Sequence, residues 1–222
     1  MKILSKFLPL FMLLASFQVQ ASQSYEIDKA ASVVAVVIKK EGLLAFMGHN
    51  HLIYASDYSA TPSFSPSKLE PFSISFQHED LVNDDYWVSQ NYFPKLRKLG
   101  ILREKFSELK DEDIATVKGH MLGEEQLGKE GVIEATLTNL APLAEGLYQY
   151  EGDLSLTVKG ITRTTAVSVE LTPDDGILEG ELHGAFRFRD FGIEPFSALG
   201  GQLRNQDRFY VYAHLEFVAV AE

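Results

Sequence analysis

The fold is decided in residues 152–171, which read GDLSLTVKGITRTTAVSVEL. Small polar residues separate the apolar ones, and the two halves are divided by a Lys-Gly pair, which is typical of a break between strands. Alternation of this kind marks a strand with one face on a core. The segment therefore predicts two half-buried strands, whose apolar faces carry Leu154, Leu156, Val158, Val167, Val169 and Leu171.

The same alternation recurs in other parts of the chain. It is clearest in FSISF at 72–76, FRFRD at 186–190 and RFYVYAHLEF at 208–217. No alternation of strands with helices, as in a parallel sheet, accompanies it. The chain therefore predicts an antiparallel β-barrel or sandwich of about eight or nine strands. The further strand-like segments are 25–28, 32–39, 51–59 and 131–139.

One region has the periodicity of a helix instead. Between Pro94 and Gly123 the apolar residues are mostly spaced three or four apart, as on one face of a helix. Gly100 and the acidic run KDED divide this helical insert, roughly 95–122, into two helices, and the second begins near Asp111. Because the insert interrupts an all-β pattern, we expect it to lie over the barrel or sandwich as a lid or plug.

The first 21 residues have the composition of a signal peptide. Lys2 and Lys6 precede an apolar run that is too short to span a membrane, and Ala21 ends a small-residue cleavage site. We expect the mature chain, residues 22–222, to be one exported domain. The sequence has no cysteine and no Asn-x-Ser/Thr acceptor, which favours a bacterial periplasm as the destination.

The formal net charge of −11 argues against a nucleic-acid partner, because phosphates would be repelled. Basic residues nevertheless cluster in the first predicted helix. They favour either transient contact with an anionic membrane surface or an ordinary solvated helix face. The cluster consists of Lys95, Arg97, Lys98, Arg103 and Lys105.

Four segments resemble YceI-like domains in the same order. They are SYEIDKAASVVAVVIKKEG, the segment at 152–171, GAFRFRDFGIEP and NQDRFYVYAHLEF, and the resemblance spans roughly Tyr25 to Val218. It implies an antiparallel, lipocalin-like β-barrel of about eight strands in the periplasm. It also implies that the barrel holds a long apolar molecule, such as a polyisoprenoid, quinone or fatty-acid derivative. Many members carry an early His-Ser pair, where this chain has AASVV, and its GHNH motif resembles a subgroup.

The GHNH motif, formed by Gly48, His49, Asn50 and His51, supplies the candidate polar site. In an extended chain both histidines share a face. They would there hydrogen-bond a ligand head group, while Gly48 allows close backbone approach. A turn in which the histidines only satisfy neighbouring carbonyls fits the motif equally well. As metal ligands, His49 and His51 would need further donors, and the other histidines are scattered.

The acidic segment FQHEDLVNDDYW, residues 76–87, follows a predicted strand. Its alternation places His78 on the apolar face beside several carboxylates, which is compatible with a buried, paired histidine. Acidic clusters after strands are usually solvated loops, so a solvated loop is favoured over an acid–base site here.

The candidate apolar contacts are aromatic residues on the strands and before the helices. The pattern does not distinguish a hollow barrel from a filled core. No nucleophile elbow, zinc-binding helix or phosphate loop is present, so we expect a binding or carrier protein without a cofactor rather than an enzyme. A metal-binding protein or metal-dependent enzyme and a filled interaction module are the alternatives. The aromatic candidates are Phe72, Phe76, Trp87, Tyr92, Phe186, Phe188, Phe209 and Phe217.

Overall fold

A computed structural model of the chain describes residues 24–61, 70–143, 149–174 and 176–220. The predicted signal peptide, residues 1–21, lies outside these ranges. Eleven β-strands and two α-helices are formed within them. The helices are α1 (Tyr86–Lys98) and α2 (Asp111–Met121). The strands are β1 (Tyr25–Glu41), β2 (His51–Ala55), β3 (Ser59–Ala60), β4 (Phe72–Gln77), β5 (Leu81–Asn83), β6 (Val132–Pro142), β7 (Tyr150–Val158), β8 (Ile161–Asp174), β9 (Ile177–Arg187), β10 (Ser197–Ala198) and β11 (Leu203–Ala219).

The strands form one curled antiparallel sheet. Its order is β3, β4, β6, β7, β8, β9, β11, β1, β2, β5, and β10 pairs with β11 off this path. Most neighbours in the sheet follow one another along the chain, and the long strands β1 and β11, from the two ends of the described chain, pair with each other. The predicted antiparallel, lipocalin-like barrel is confirmed.

The two ends of the sheet meet in one kinked hairpin. β2 and β3 are successive parts of one bent strand, and β4 and β5 are successive parts of another. Between the paired parts, Ser56 N donates to Asp80 O at 2.9 Å, which continues the hairpin across the kink. If each bent pair counts once, the ten strands on the sheet path occupy eight positions, as predicted.

The segment at 152–171 forms the β7–β8 hairpin. Lys159 (φ 51°) and Gly160 (φ 72°) both lie in the left-handed region. Two consecutive positive φ values are the geometry of a two-residue hairpin turn that matches the twist of the flanking strands. Val158 therefore pairs with Ile161 across the turn, and this register places the alternating leucines and valines of both strands on the inner face.

Apolar clusters cover both faces of the sheet. The inner cluster contains the alternating residues of nearly every strand, including Phe72, Phe186 and Phe217. The outer cluster is smaller and lies on β1, β2 and β11, where α1 contributes Phe93 and Leu96. The outer face is thus polar on β7 and β8 but apolar where the helix covers it.

The first helix begins earlier than the sequence indicates. Asp85 caps it, its side chain accepting a hydrogen bond from Val88 N at 3.0 Å. Pro94, at which the helical periodicity begins in the sequence, lies inside α1. Proline is favoured at the first position of a helix, and this preference conceals a helix that starts eight residues before it.

Gly100 ends α1, as predicted. With φ at 71° it allows Ile101 N to donate back to Leu96 O at 2.9 Å, the pattern of a left-handed C-terminal cap. The chain that follows is not helical up to Asp111, where α2 begins as predicted. Leu102 and Phe106 have helical spacing in the sequence, yet they lie in this irregular segment, where both are buried in the outer cluster.

Only one of the two helices lies near the inner face. α1 packs on the outer face and is therefore not the lid that the sequence predicts, whereas α2 contributes to the wall of the internal cavity. The side of the sheet on which a helix packs depends on the directions of the connecting segments, which local periodicity does not specify. No helix in the described part of the chain is long and apolar enough to cross a membrane.

Replacing Leu96 by Ala should lower the free energy of unfolding by about 2–5 kcal/mol, because a fully buried leucine leaves a cavity. Leu96 is 0% exposed, whereas Trp87 on the same helix is 81% exposed. The matched change Trp87→Ala should stay within about 0.5 kcal/mol of the unchanged protein. Urea unfolding of both variants measures this, and equal effects would contradict the packing of α1.

Acid should lower the free energy of unfolding through His183, which lies on β9. Burial lowers the pKa of His183, and the Glu181 carboxylate opposes part of this shift. Since the unfolded chain has a histidine pKa of about 6.5, it binds the proton more readily than the folded chain. The contribution of His183 to the free energy of unfolding should therefore be fully present above about pH 6.5 and be lost as the pH drops below it.

His183→Gln should flatten the fall in urea midpoint between about pH 7.5 and about pH 5.5, because the group that links folding to protons is removed. His49→Gln is the matched control, since His49 is exposed, and it should keep the original pH dependence. An unaltered dependence in the His183 variant would refute the assignment.

Candidate ligand-binding cavity

A cavity of about 630 Å³ lies inside the curled sheet. This volume is within the range of about 300–1,000 Å³ that is typical of small-molecule sites. Its wall is built mainly from inward-facing residues of the alternating strands. They include Val34, Ile38, Ile53, Phe76, Ile133, Leu156, Phe209 and Val211.

The rest of the wall comes from two connecting segments. The end of α2 and the turn after it contribute residues from Val117 to Leu127, and the chain after β9 contributes residues from Phe188 to Ser197. Glu124, Glu125 and Phe196 line the cavity and are also exposed. The cavity therefore opens to solvent between these two segments.

A histidine–aspartate pair forms a polar end of the cavity. His51 lines the cavity, and its Nδ1 donates to the two carboxylate oxygens of Asp84 at 2.9 and 3.1 Å. The two side chains expose only 13% and 4% of their surface. Because Nδ1 faces the carboxylate, the hydrogen-bonding capacity of Nε2 is left for another group.

The pair is held by the kinked hairpin and by α2. Asp84 follows β5 with φ at 58°, and its backbone N donates to Leu52 O at 2.9 Å. The side-chain amide of Asn83 donates to Asp84 and to Ile114 O on α2, both at 3.1 Å. A sheet residue, a loop residue and a helix thus share one buried polar network.

The four residues of the GHNH motif occupy different environments. Only His51 belongs to β2 and lines the cavity, whereas His49 is exposed and precedes the strand. Asn50 Oδ1 accepts from Lys40 N at 3.1 Å and so extends the β1–β2 pairing. Gly48 packs so closely on Leu203 that an added Cβ would lie 2.6 Å from its Cδ1.

The two histidines therefore do not both face the cavity, since His51 lines it and His49 is exposed. Within the described ranges, no three His, Asp or Glu side chains are placed to share a metal ion.

The strand aromatics divide between cavity wall and core. Phe76, Phe188 and Phe209 line the cavity, and the rings of Phe188 and Phe209 are 4.7 Å apart. Phe188 lies in a short 3-10 helix after β9 rather than on the strand. The other candidates, Phe72, Phe186 and Phe217, are buried in the inner cluster away from the cavity wall.

Trp87 and Tyr92 lie on α1, away from the cavity. Trp87 is exposed, and Tyr92 packs against Tyr212 and His214 at ring distances of 5.9 and 6.1 Å. Burial raises the pKa of Tyr92, and the Glu216 charge adds to the shift. Both residues precede the predicted helix in the sequence. Because α1 starts earlier than predicted, they belong to this helix and lie on the outer side of the sheet.

The five basic residues do not share one helix. Lys95, Arg97 and Lys98 lie in the last turn of α1, where positive charge favours a helix end, and Lys95 pairs with Glu181 at 2.7 Å. Arg103 and Lys105 are exposed in the irregular chain after it.

Two polar residues at or behind the cavity wall have no marker in the sequence. Asp84 belongs to the acidic segment for which the sequence predicts a solvated loop, yet it is buried and pairs with His51. His120 lies on α2, lines the cavity and packs on Phe196 with ring centroids 5.2 Å apart. Both contacts join segments that are distant in the sequence, so neither produces a local pattern.

Asp84→Asn should reduce the free energy of unfolding by about 1–3 kcal/mol, because a charge-assisted buried hydrogen bond is weakened. Asparagine tolerates the left-handed backbone of residue 84 as aspartate does, so the change isolates the carboxylate. Asp190→Asn, at an exposed position, is the control and should be neutral. A neutral Asp84→Asn in urea unfolding would show that the pair contributes nothing to stability.

Comparison with known proteins supports the fold. No protein-family model and no curated protein matches the chain. The crystal structure of Burkholderia cenocepacia BcnA matches with a TM-score of 0.57 at 14% identity, over 86% of this chain and 99% of that chain. A mutant of Campylobacter jejuni YCEI protein with a monobromobimane guest matches with a TM-score of 0.48 at 12% identity, over 77% and 85%. The likeness to BcnA confirms, at the level of the fold, the barrel that the YceI-like resemblance implies.

Proposed function

We propose that this protein binds a long apolar or amphipathic molecule inside the barrel and carries it. The observation that supports this function best is the cavity of about 630 Å³, whose wall is mostly apolar and which opens to solvent. A filled interaction module would have no use for such a space. The cavity is an ordinary size for a small-molecule site.

Burial of the ligand tail supplies the affinity. A chain of about 20 carbons gains on the order of 10 kcal/mol or more, gross, at about 0.8 kcal/mol per buried methylene. Loss of freedom on association and ordering of the tail remove a large part of this gain. The remainder supports binding without a cofactor or a catalytic group, and the proposed role is therefore carriage rather than catalysis.

The polar end of the ligand would meet His51. Asp84 fixes the imidazole by accepting from Nδ1, so Nε2 meets the ligand as a hydrogen-bonding partner of defined direction. In the neutral imidazole Nε2 is then an acceptor, which suits a ligand hydroxyl or amide N–H, whereas a quinone carbonyl would require the doubly protonated ring. Of the GHNH residues, His51 is the one to which we assign ligand contact, because it is the one that lines the cavity.

The proposed site of action is the periplasm. This rests on the leader at residues 1–21, with positive residues before an apolar run and a small-residue end at Ala21. An apolar molecule that crosses an aqueous compartment needs shielding from water, which an internal cavity supplies. Resemblance to YceI-like domains supports the same interpretation.

Native mass spectrometry of the exported protein, purified without detergent or affinity tag, tests the proposal. The expected result is a defined extra mass that organic solvent extracts as an isoprenoid, quinone or acyl compound. Metal analysis of the same sample addresses the alternative, because a stoichiometric metal without an organic ligand would favour a metal-binding role.

Ala135→Phe should weaken binding of the apolar fluorophore N-phenyl-1-naphthylamine by about tenfold or more, because the new ring fills space that the ligand needs. Ala135 lies on the cavity wall. Fluorescence titration of the delipidated protein measures the change.

Ala166→Phe is the matched control, because Ala166 is exposed on β8, and it should bind the fluorophore as the unchanged protein does. Equal binding by all three proteins would place the fluorophore outside the cavity and count against the carrier proposal.

A further inference from the structure

Five exposed apolar side chains lie on two neighbouring turns. Nine large hydrophobic residues are exposed in the described chain, and these five are between 38% and 81% exposed. Scattered exposed apolar residues are ordinary, but a contiguous group marks an interaction surface. We call this group the apolar patch, and it consists of Leu43, Phe46, Met47, Phe196 and Leu199.

Backbone contacts hold the two turns against each other. Leu44 N donates to Gln202 O at 2.8 Å. Gly42, with φ at 105°, approaches the same carbonyl so closely that a Cβ would lie 2.4 Å from it. Asn205 N donates to Phe196 O at 2.9 Å. The patch side chains therefore project from two turns that are fixed to each other at the ends of β1 and β11.

The composition of the first turn is unusual for exposed chain. Residues 42–48 read GLLAFMG and contain no polar side chain, whereas exposed turns are normally rich in Asn, Asp, Ser and Gly. Leu199 has φ at 52° and is 55% exposed. A leucine in this strained conformation gains little burial within the chain, so contact with another surface is the simplest use for it.

The patch borders the opening of the cavity. Phe196 belongs to the patch and also lines the cavity, together with its neighbours Pro195 and Ser197. The exposed carboxylates of Glu124 and Glu125 lie at the same opening. Whatever covers the patch is therefore next to the entrance.

We propose that the apolar patch inserts into the interface of a lipid bilayer and brings the cavity opening to the membrane surface. Aromatic and aliphatic side chains projecting from short turns bury apolar area at the level of the lipid head groups. An apolar ligand could then pass between bilayer and cavity with little exposure to water. That last step rests on the proposed function, whereas docking of the patch does not.

Charge favours a bilayer over a second copy of this chain. A two-fold contact through the patch would place the same surface of both copies together. Glu124 and Glu125 of each copy would then approach those of the other, in a chain of net charge −11. A bilayer of zwitterionic lipid imposes no such repulsion.

The same carboxylates favour a membrane whose lipids carry no net negative charge. Docking through the patch should be driven by apolar burial, so it should occur on uncharged phosphatidylcholine vesicles and change little with salt. Contact through Lys95, Arg97 and Lys98 would instead require anionic lipid and disappear at high salt. The two modes are therefore distinguishable by vesicle composition.

Flotation of the exported, purified protein with phosphatidylcholine vesicles tests the proposal. The double variant Leu43→Ser/Phe46→Ser should lower the partition coefficient by about tenfold or more, because two large apolar side chains are lost from the interface. Trp87→Ser is the matched control, since it removes an equally exposed aromatic residue from α1, and it should float as the unchanged protein does.

A spectroscopic variant checks that the patch itself enters the bilayer. Trp87 is the single tryptophan of the chain, so Trp87→Phe/Phe46→Trp leaves one reporter in the patch. Its emission should shift to shorter wavelength with phosphatidylcholine vesicles and be quenched by brominated phospholipid. Ala135→Phe should still float, which separates docking from failure of the cavity to bind a ligand.

Three results would overturn the proposal. They are equal flotation of the double variant and the unchanged protein, flotation that requires anionic lipid and is abolished by salt, and absence of flotation together with a concentration-dependent dimer that the double variant loses. The last result, measured by sedimentation velocity, would assign the patch to a second copy. Circular dichroism of the double variant checks its folding, which surface changes should leave intact.

Discussion

The structure depends on the pairing of the two edges of the sheet with each other. An open sheet leaves a strand edge with unpaired backbone groups, and such edges promote aggregation. Here both ends fall in the single kinked hairpin of β2–β3 and β4–β5, and the bond from Ser56 N to Asp80 O continues the pairing across the kink. The hairpin pairs with β1 through β2 and with β6 through β4. The sheet must therefore curl, and a curled sheet encloses an interior.

The polar site follows from the same hairpin. His51 begins β2 and Asp84 follows β5, so the pairing of these two strands brings an imidazole and a carboxylate together across 33 residues. Side chains alternate along β2, and His51 is one of those that face the cavity, while Asp84 is buried behind it. A buried carboxylate with hydrogen-bonding partners can orient a histidine for a ligand. The kinked hairpin thus both closes the sheet and supplies the polar end of the cavity.

The two helices have separate roles because they lie on opposite faces. α1 covers the apolar outer face of β1, β2 and β11, whereas α2 and the turn after it form part of the cavity wall. The entrance lies between that turn and the chain after β9, beside the apolar patch. The side of the molecule on which exchange with a membrane is proposed therefore combines an exposed apolar surface with the carboxylates of Glu124 and Glu125.

Features that depend on residues near each other along the chain could be predicted from the sequence. Alternation predicted the inner-face residues, Gly100 predicted the end of α1, and the carboxylates at Asp111 predicted the start of α2, because periodicity and capping are local. Tertiary structure alone decided the face that α1 covers, the partner of His51 and the presence of a hollow interior. These depend on strand register and sheet curvature, which arise from pairings between distant residues.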